Sequence, residues 1–167
     1  MKTWKILASL TVAIALPASY FLHLNSQKPD PIRYTAKRFA QNTGLNENEA
    51  YRLFKINEKM HNDEPLSEQE FSEVETASKS SAMEFRVNSL DSLRHLEATP
   101  FKDRAHSIMR HLTHDPEPGI RSIALRTLTW VKDPETVPLL KEAIVSSDPY
   151  VKPRAEDMLK KYIAGSK

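Results

Sequence analysis

The sequence predicts an all-α protein: a short α-solenoid of helix pairs, preceded by a small helical segment and by an N-terminal hydrophobic helix. Residues 118–128 and 149–159 repeat one pattern of apolar, basic and small residues, and an Asp-Pro pair precedes each copy. A repeat of about 31 to 35 residues is typical of stacked helix pairs, none of which can bury its apolar face alone. Glycine is scarce, with 3 residues, which suits helices and leaves no glycine-rich loop for a phosphate.

The repeated pattern consists of an apolar residue, a basic residue, a small residue and a second apolar residue on one helical face. It occurs three times, the first time faintly, at Phe85, Arg86, Ser89 and Leu93, at Ile120, Arg121, Ala124 and Leu128, and at Val151, Lys152, Ala155 and Leu159. Stacked repeats of this kind favour a binding surface over a catalytic site.

Composition excludes several kinds of site. Cysteine is absent, so the chain has no disulfide, no zinc-thiolate site and no cysteine nucleophile. Lys2 and Lys5 account for the formal net charge of +2, and the remainder of the chain is neutral. Because nucleic-acid binding usually requires a clustered basic patch, we expect no nucleic-acid partner.

Residues 1–24 are predicted to be a targeting or anchoring element, either a signal peptide or a signal-anchor transmembrane helix. Residues 6–22 carry no charge, and their length falls between the apolar stretch of a signal peptide, roughly 7–15 residues, and the about 20 residues of a spanning helix. Cleavage after Ala18 would place bulky Leu16 where a small residue is preferred. We therefore expect residues 6–22 to anchor the protein in a membrane, with its body extracytoplasmic, on the periplasmic side. The alternative is secretion after signal cleavage.

A linker is predicted at residues 25–32, because two closely spaced prolines there disfavour helix. A small helical segment follows at 33–78. Its first helix is expected from Tyr34 to Gln41 and should end near Gly44, since glycine is a common helix stop.

Capping signals predict the other two helices of this segment. Asn46 can accept hydrogen bonds from the first amides of one helix. Ser67 and Glu70 have the spacing of a capping box at the start of the next. A boundary before the repeats is predicted at residues 78–81, where the sequence is Ser-Lys-Ser-Ser.

Residues 82–163 contain the repeats and are predicted to form five amphipathic helices. Their expected bounds are 82–97, 101–113, 117–131, 135–146 and 149–163. The Asp-Pro pairs at Asp133 and Asp148 support two of these starts, because aspartate caps a helix and proline fits its first turn.

Residues 82–163 resemble HEAT repeats, in particular the short bacterial type that is also found in phycobilin lyases. The resemblance implies that the small residue of each copy lets paired helices approach closely, and that Arg86, Arg121 and Lys152 support neighbouring turns. It also implies a non-catalytic adaptor or scaffold, and not an enzyme, in which the second helix of each pair lines a concave face.

The expected partner-binding residues are polar side chains of the second helices, 101–113 and 135–146. They are Lys102, Arg104, Arg110, Lys141 and Glu142. The expected partner is another protein, bound by shape and charge complementarity on a rigid helical surface, and no cofactor is expected.

Four histidines lie close together in the sequence and raise the question of a metal site. They are His95, His106, His111 and His114. No His-Glu-x-x-His pattern accompanies them, so we expect surface histidines and no catalytic, cofactor-binding or metal residue. The alternative function is that of a HEAT-like lyase or enzyme-accessory protein that uses the same array to bind a small molecule or a metal.

Overall fold

A computed structural model describes residues 30–146 and 148–165, and within these ranges the chain forms helices and no strands. Eight helices occur there: α1 Pro31–Thr43, α2 Glu47–His61, α3 Glu68–Ser78, α4 Met83–Leu93, α5 Lys102–Leu112, α6 Pro118–Val131, α7 Thr136–Val145 and α8 Val151–Gly165. The all-α prediction is confirmed for this part of the chain. The hydrophobic helix predicted within residues 1–24 lies outside the described residues. Among the described helices, none combines the length and apolar composition that a membrane span requires.

Local capping sets the starts of α2 and α3. The Asn46 side chain accepts hydrogen bonds from the backbone amides of Asn48 at 2.9 Å and Glu49 at 3.2 Å. Ser67 and Glu70 form a reciprocal capping box at the start of α3. Both predicted caps are therefore confirmed.

The first helix is longer than its predicted span of Tyr34 to Gln41. It begins at Pro31, because proline is tolerated in the first turn, where its missing N–H needs no partner. It ends before Gly44, whose φ of 73° lies in the left-handed region that suits glycine. The Phe39 ring packs edge-on against that of Phe54, with centroids 5.2 Å apart, and so holds α1 against α2.

The fourth helix is shorter than predicted and ends at Leu93. The backbone amides of His95 and Leu96 donate to carbonyls three residues earlier, at 3.1 and 3.2 Å. These bonds tighten the chain into a turn that buries Leu96 in the core. The residues after this turn lead to Pro100, which disfavours helix in the residue before it.

The repeat helices stack as expected for a solenoid. The first helices of the three units are α4, α6 and α8, and α6 contacts both of the others. The second helices follow them: α5 packs against α4 and α6, and α7 packs against α6 and α8. The stack continues towards the N-terminus, because α2 packs against α4, and α3 contacts both α4 and α5.

The small residues of the repeated pattern lie in the interior. Ser89, Ala124 and Ala155 are completely buried, as is Ile120, and Val151 is nearly so. This placement confirms the alignment of the copies, since each small residue lies in the core between packed helices.

The described residues from Ile32 onward form one compact unit. One cluster of buried apolar side chains extends from Ala36 in α1 to Leu128 in α6. A second cluster, around Leu140, joins α6 to α7 and α8. The boundary expected at 78–81 lies within this unit, and a separate identity for residues 33–78 stays a prediction.

Candidate partner-binding surface

Two of the three basic residues of the repeated pattern, Arg86 and Arg121, connect one unit to the next. Arg86 donates from Nε and Nη2 to the carboxylate of Asp115, at 2.8 and 3.1 Å, and both side chains are buried. Arg121 pairs with Asp148 through Nη2 alone, and its Nη1 donates to the backbone oxygen of Asp115 at 2.6 Å. The expected structural role of Arg86 and Arg121 is confirmed. Lys152, at the third such position, is exposed and forms no ion pair within the described residues.

The aspartates of these pairs also accept hydrogen bonds from the turns that lead into the next helix. Asp115 accepts a hydrogen bond from the amide of Glu117 at 2.9 Å, and Asp148 accepts one from the amide of Tyr150 at 2.7 Å. Burial raises the pKa of Asp148, but the bonds from the amides and from Arg121 outweigh it and bring that pKa below its ordinary value. One carboxylate thus holds both the turn before a helix and a contact between units.

Arg104, a predicted partner contact, links α5 to α3. Its Nη1 lies 2.5 Å from Oε1 of Glu68 and its Nη2 lies 3.2 Å from Oε2 of Glu75. The guanidinium also lies over the Phe71 ring, 4.4 Å from its centroid. The hydrogen bond to Glu68, and after it the bond to Glu75, raises the pKa of Arg104. This side chain is half-exposed, but its charge is already paired.

Arg110, a second predicted contact, links α5 to the start of α7. It donates to both oxygens of Asp133, and the shortest contact, from Nη2, is 2.6 Å. Asp133 is 0% exposed and also accepts the amide of Glu135 at 2.8 Å. Burial raises the pKa of Asp133, but the bond from Arg110, followed by those from Glu135 and His106, brings it below its ordinary value.

His106 lies in the same network and corrects the expectation that the histidines are surface residues. It is 4% exposed, with Nδ1 2.5 Å from Oδ2 of Asp133 and Nε2 in contact with Glu97. Each of its two ring nitrogens therefore faces a carboxylate oxygen. Lys102, a third predicted contact, pairs with Glu97 at 3.0 Å. Burial raises the pKa of Glu97, but His106 and Lys102 bring it below its ordinary value.

The two remaining predicted contacts lie on α7 and are open to solvent. Lys141 is exposed and forms no ion pair within the described residues. Glu142 is exposed, with Oε1 3.8 Å from Nδ1 of His114. Val145, at the end of the same helix, is 86% exposed. Of the predicted residues on the second helices, those on α7 are therefore the ones whose charges remain available.

The predicted residues do not form one cluster. Lys102 and Arg110 share the network around Asp133, whereas Arg104 is directed to α3. Their assignment to a partner surface stays a prediction.

A metal site is not assembled in the described residues: no group of three or more histidine, aspartate or glutamate side chains could hold an ion. A groove of about 930 Å³ borders α2 and α3. Two of its acidic residues are paired, since Glu73 contacts Arg52 at 3.1 Å and Glu75 contacts Lys79 at 2.8 Å. The groove is large enough for a small molecule, but these ion pairs leave few of its charges available to bind one.

Sequence reasoning did not single out Trp130, which is 54% exposed near the end of α6. The guanidinium carbons of Arg94 and Arg126 lie 5.3 and 5.0 Å from its ring centroid. The spacing of Arg126 and Trp130, four residues apart on one helix, was a signal that could have been used. The contact with Arg94 comes from the turn after α4 and has no such local signal.

Comparison with known families finds that the profile of HEAT repeats matches residues 75–160, just over half of the chain. The match begins in the last turns of α3 and ends within α8. No curated protein and no solved structure matches the chain.

Proposed function

The chain belongs to the HEAT-repeat family, and from that premise we propose that it is a non-catalytic adaptor or scaffold that binds another protein. HEAT repeats generally mediate protein–protein interaction, and their stacked helices present extended binding surfaces. The finer assignment, to particular side chains of α5 and α7, belongs to this proposal.

The observation that carries the proposal is the contrast between α5 and α7. The predicted residues on α5 are already paired: Lys102 with Glu97, Arg104 with Glu68 of α3, and Arg110 with Asp133. On α7, Lys141 and Glu142 are exposed beside Val145, an apolar side chain left in water. A rigid frame loses little conformational entropy on binding, so a modest exposed patch on it can contribute affinity.

A charge reversal on α7 tests this surface. The full-length chain is crosslinked in cells, and captured proteins are quantified by mass spectrometry for the parent, Lys141→Glu and Lys160→Glu. Lys160 is an exposed lysine on α8, so the second variant changes charge equally away from α7. We expect one dominant partner whose recovery falls at least fivefold with Lys141→Glu and stays constant with Lys160→Glu. Equal recovery for all three proteins would argue against a partner surface on α7.

The proposal includes a location for the protein. The uncharged stretch at residues 6–22 supports a membrane tether, with the body extracytoplasmic, on the periplasmic side. Removal of residues 1–24 and secretion is the alternative. We expect activity from a reporter that works only outside the cytoplasm when it is fused after Lys167. The mass of the recovered protein shows whether residues 1–24 are retained as a tether or removed as a signal. Activity only of a cytoplasmic reporter would overturn export.

The alternative function, as a lyase or enzyme-accessory protein that binds a small molecule or metal, has one supporting observation. This is the groove of about 930 Å³ beside α2 and α3. The alternative function predicts that the purified protein carries a low-molecular-mass ligand, detectable by native mass spectrometry. It also predicts that crosslinking recovers no protein partner.

A further inference from the structure

An exposed tryptophan on α6 is flanked by two arginines, and we define Trp130, Arg94 and Arg126 as the Trp130 strip. The indole is 54% exposed, although most tryptophan side chains in folded proteins are largely buried. Arg94 directly follows α4, and Arg126 and Trp130 lie on α6, so the strip joins the first helices of adjacent units and is separate from the predicted surface on α7.

The two guanidinium groups carry more positive charge than their surroundings neutralise. Arg94 pairs with Asp91, with Nη2 2.8 Å from Oδ1. Arg126 is exposed and forms no ion pair within the part of the chain that the structure describes. The Nε of Arg94 is buried without a hydrogen-bond partner there. Both arginines lie within the roughly 6 Å at which a cation is attracted to the face of an indole.

Apolar side chains extend the strip along both helices. Ile123, Arg126 and Trp130 have the spacing of one face of α6, and Ile123 is half-buried. On α4, Val87 is half-buried, and Met83 is 44% exposed. Because α4 and α6 pack against each other, these faces offer apolar contact beside a cationic and aromatic end.

We propose that the Trp130 strip binds an acidic peptide segment of a partner protein. A carboxylate of the peptide would pair with the guanidinium of Arg126, which has no acidic partner among the described residues, and guanidinium–carboxylate pairs are among the stronger hydrogen-bonded contacts. Apolar atoms of the same peptide would cover the indole. Tryptophan and arginine are also the residue types that most often dominate binding energy at protein interfaces.

The charge of the chain favours an acidic protein segment over a nucleic acid. Outside Lys2 and Lys5 the sequence is formally neutral, whereas a phosphate backbone is bound by many basic groups arranged in a patch or stripe. Two arginines suffice for one or two carboxylates.

Tryptophan fluorescence can test the proposal directly, because the chain has only 2 tryptophans, Trp4 and Trp130. In full-length protein carrying Trp4→Phe, emission reports on Trp130 alone. The probe is the peptide acetyl-(Glu-Glu-Leu)3-amide, and its charge control has glutamine in place of glutamate. We expect a saturable change in emission with the acidic peptide, at least tenfold weaker binding of the glutamine peptide, and weakening by salt because the charges are screened.

Arg154 offers a matched control for Arg126. It also lies over an exposed aromatic ring, 3.6 Å from the centroid of Tyr150, but on α8. We expect Arg126→Gln to lower the affinity for the acidic peptide at least fivefold and Arg154→Gln to leave that affinity unchanged. Circular dichroism checks that both variants are folded.

Several results would overturn the proposal. One is equal binding of the glutamine peptide, or equal loss in the two arginine variants. Another is tighter binding of oligothymidylate than of the acidic peptide, which would assign the strip to nucleic acid. A third is a change in Trp130 emission with protein concentration alone, which would assign it to self-association.

Discussion

At the scale of single residues, Asp133 shows how a buried carboxylate is kept ionised. Burial raises its pKa, but Arg110, the amide of Glu135 and His106 together bring the pKa below its ordinary value. A carboxyl group whose pKa is lower in the folded than in the unfolded state stabilises the fold at any pH above the unfolded value. That stabilisation is lost as the pH falls through the folded pKa.

Asp133→Asn should therefore be strongly destabilising at neutral pH, by about 3 kcal/mol, because it removes one partner of a buried ion pair. The parent should also lose more stability than the variant as the pH falls below about 4. Urea unfolding at several pH values measures both effects. Asp157→Asn is the control, since it breaks the exposed pair with Lys161 and should cost no more than about 1 kcal/mol. Similar losses in the two variants would contradict the role given to Asp133.

At the scale of helices, the buried small residue of each repeat sets how closely its neighbours approach. Ala124 lies in the middle of α6, which contacts α4, α5, α7 and α8. The helix therefore has packed neighbours on several sides, and extra volume at Ala124 has no direction in which to relax.

Ala124→Leu should lower the free energy of unfolding by about 1–3 kcal/mol through overpacking. Ala164→Leu is the matched change at an exposed position on α8 and should alter stability by about 0.5 kcal/mol or less. Thermal and urea unfolding of the two variants and the parent provide the comparison. An Ala124→Leu protein as stable as the parent would show that the repeats are aligned incorrectly.

The helices could be predicted because the signals that define them are local. Asn46 and Ser67 cap their helices through amides two or three residues away, and apolar spacing identifies the buried face of each helix. The turn after Leu93 was missed because it depends on the burial of Leu96 in a core built from several helices.

The side-chain pairs could not be predicted, because they join residues that only the stacking of helices brings together. Arg104 of α5 contacts Glu68 of α3, although the whole of α4 lies between them in the sequence. His106 contacts Asp133, which belongs to the next unit. A single sequence indicates which face of each helix is buried, but not which residues of two packed helices lie opposite each other. For this reason Arg104 and Arg110 were correctly assigned to a second helix while their ion pairs within the chain went unrecognised.

At the scale of the whole molecule, the stack is held together in two ways. One apolar cluster joins α1 to α6, and charged pairs such as Arg86 with Asp115 join successive units. Repeat arrays derive much of their stability from contacts between neighbouring units, so damage at one contact spreads to both sides of it. Loss of a packing contact at α4 should therefore destabilise the helices both before and after residues 78–81.

Phe85→Ala tests whether the described helices unfold together. Phe85 is buried in α4, and its ring centroid lies 6.2 Å from that of Phe39 in α1. Removing the ring should cost about 3–5 kcal/mol, and hydrogen exchange should accelerate in α2 and in α6 alike. Met83→Ala, on the same helix but with a side chain that is 44% exposed, should leave exchange in both helices close to that of the parent. Faster exchange confined to residues 33–78, with α6 still protected, would instead show that these residues form a domain of their own beside the repeats.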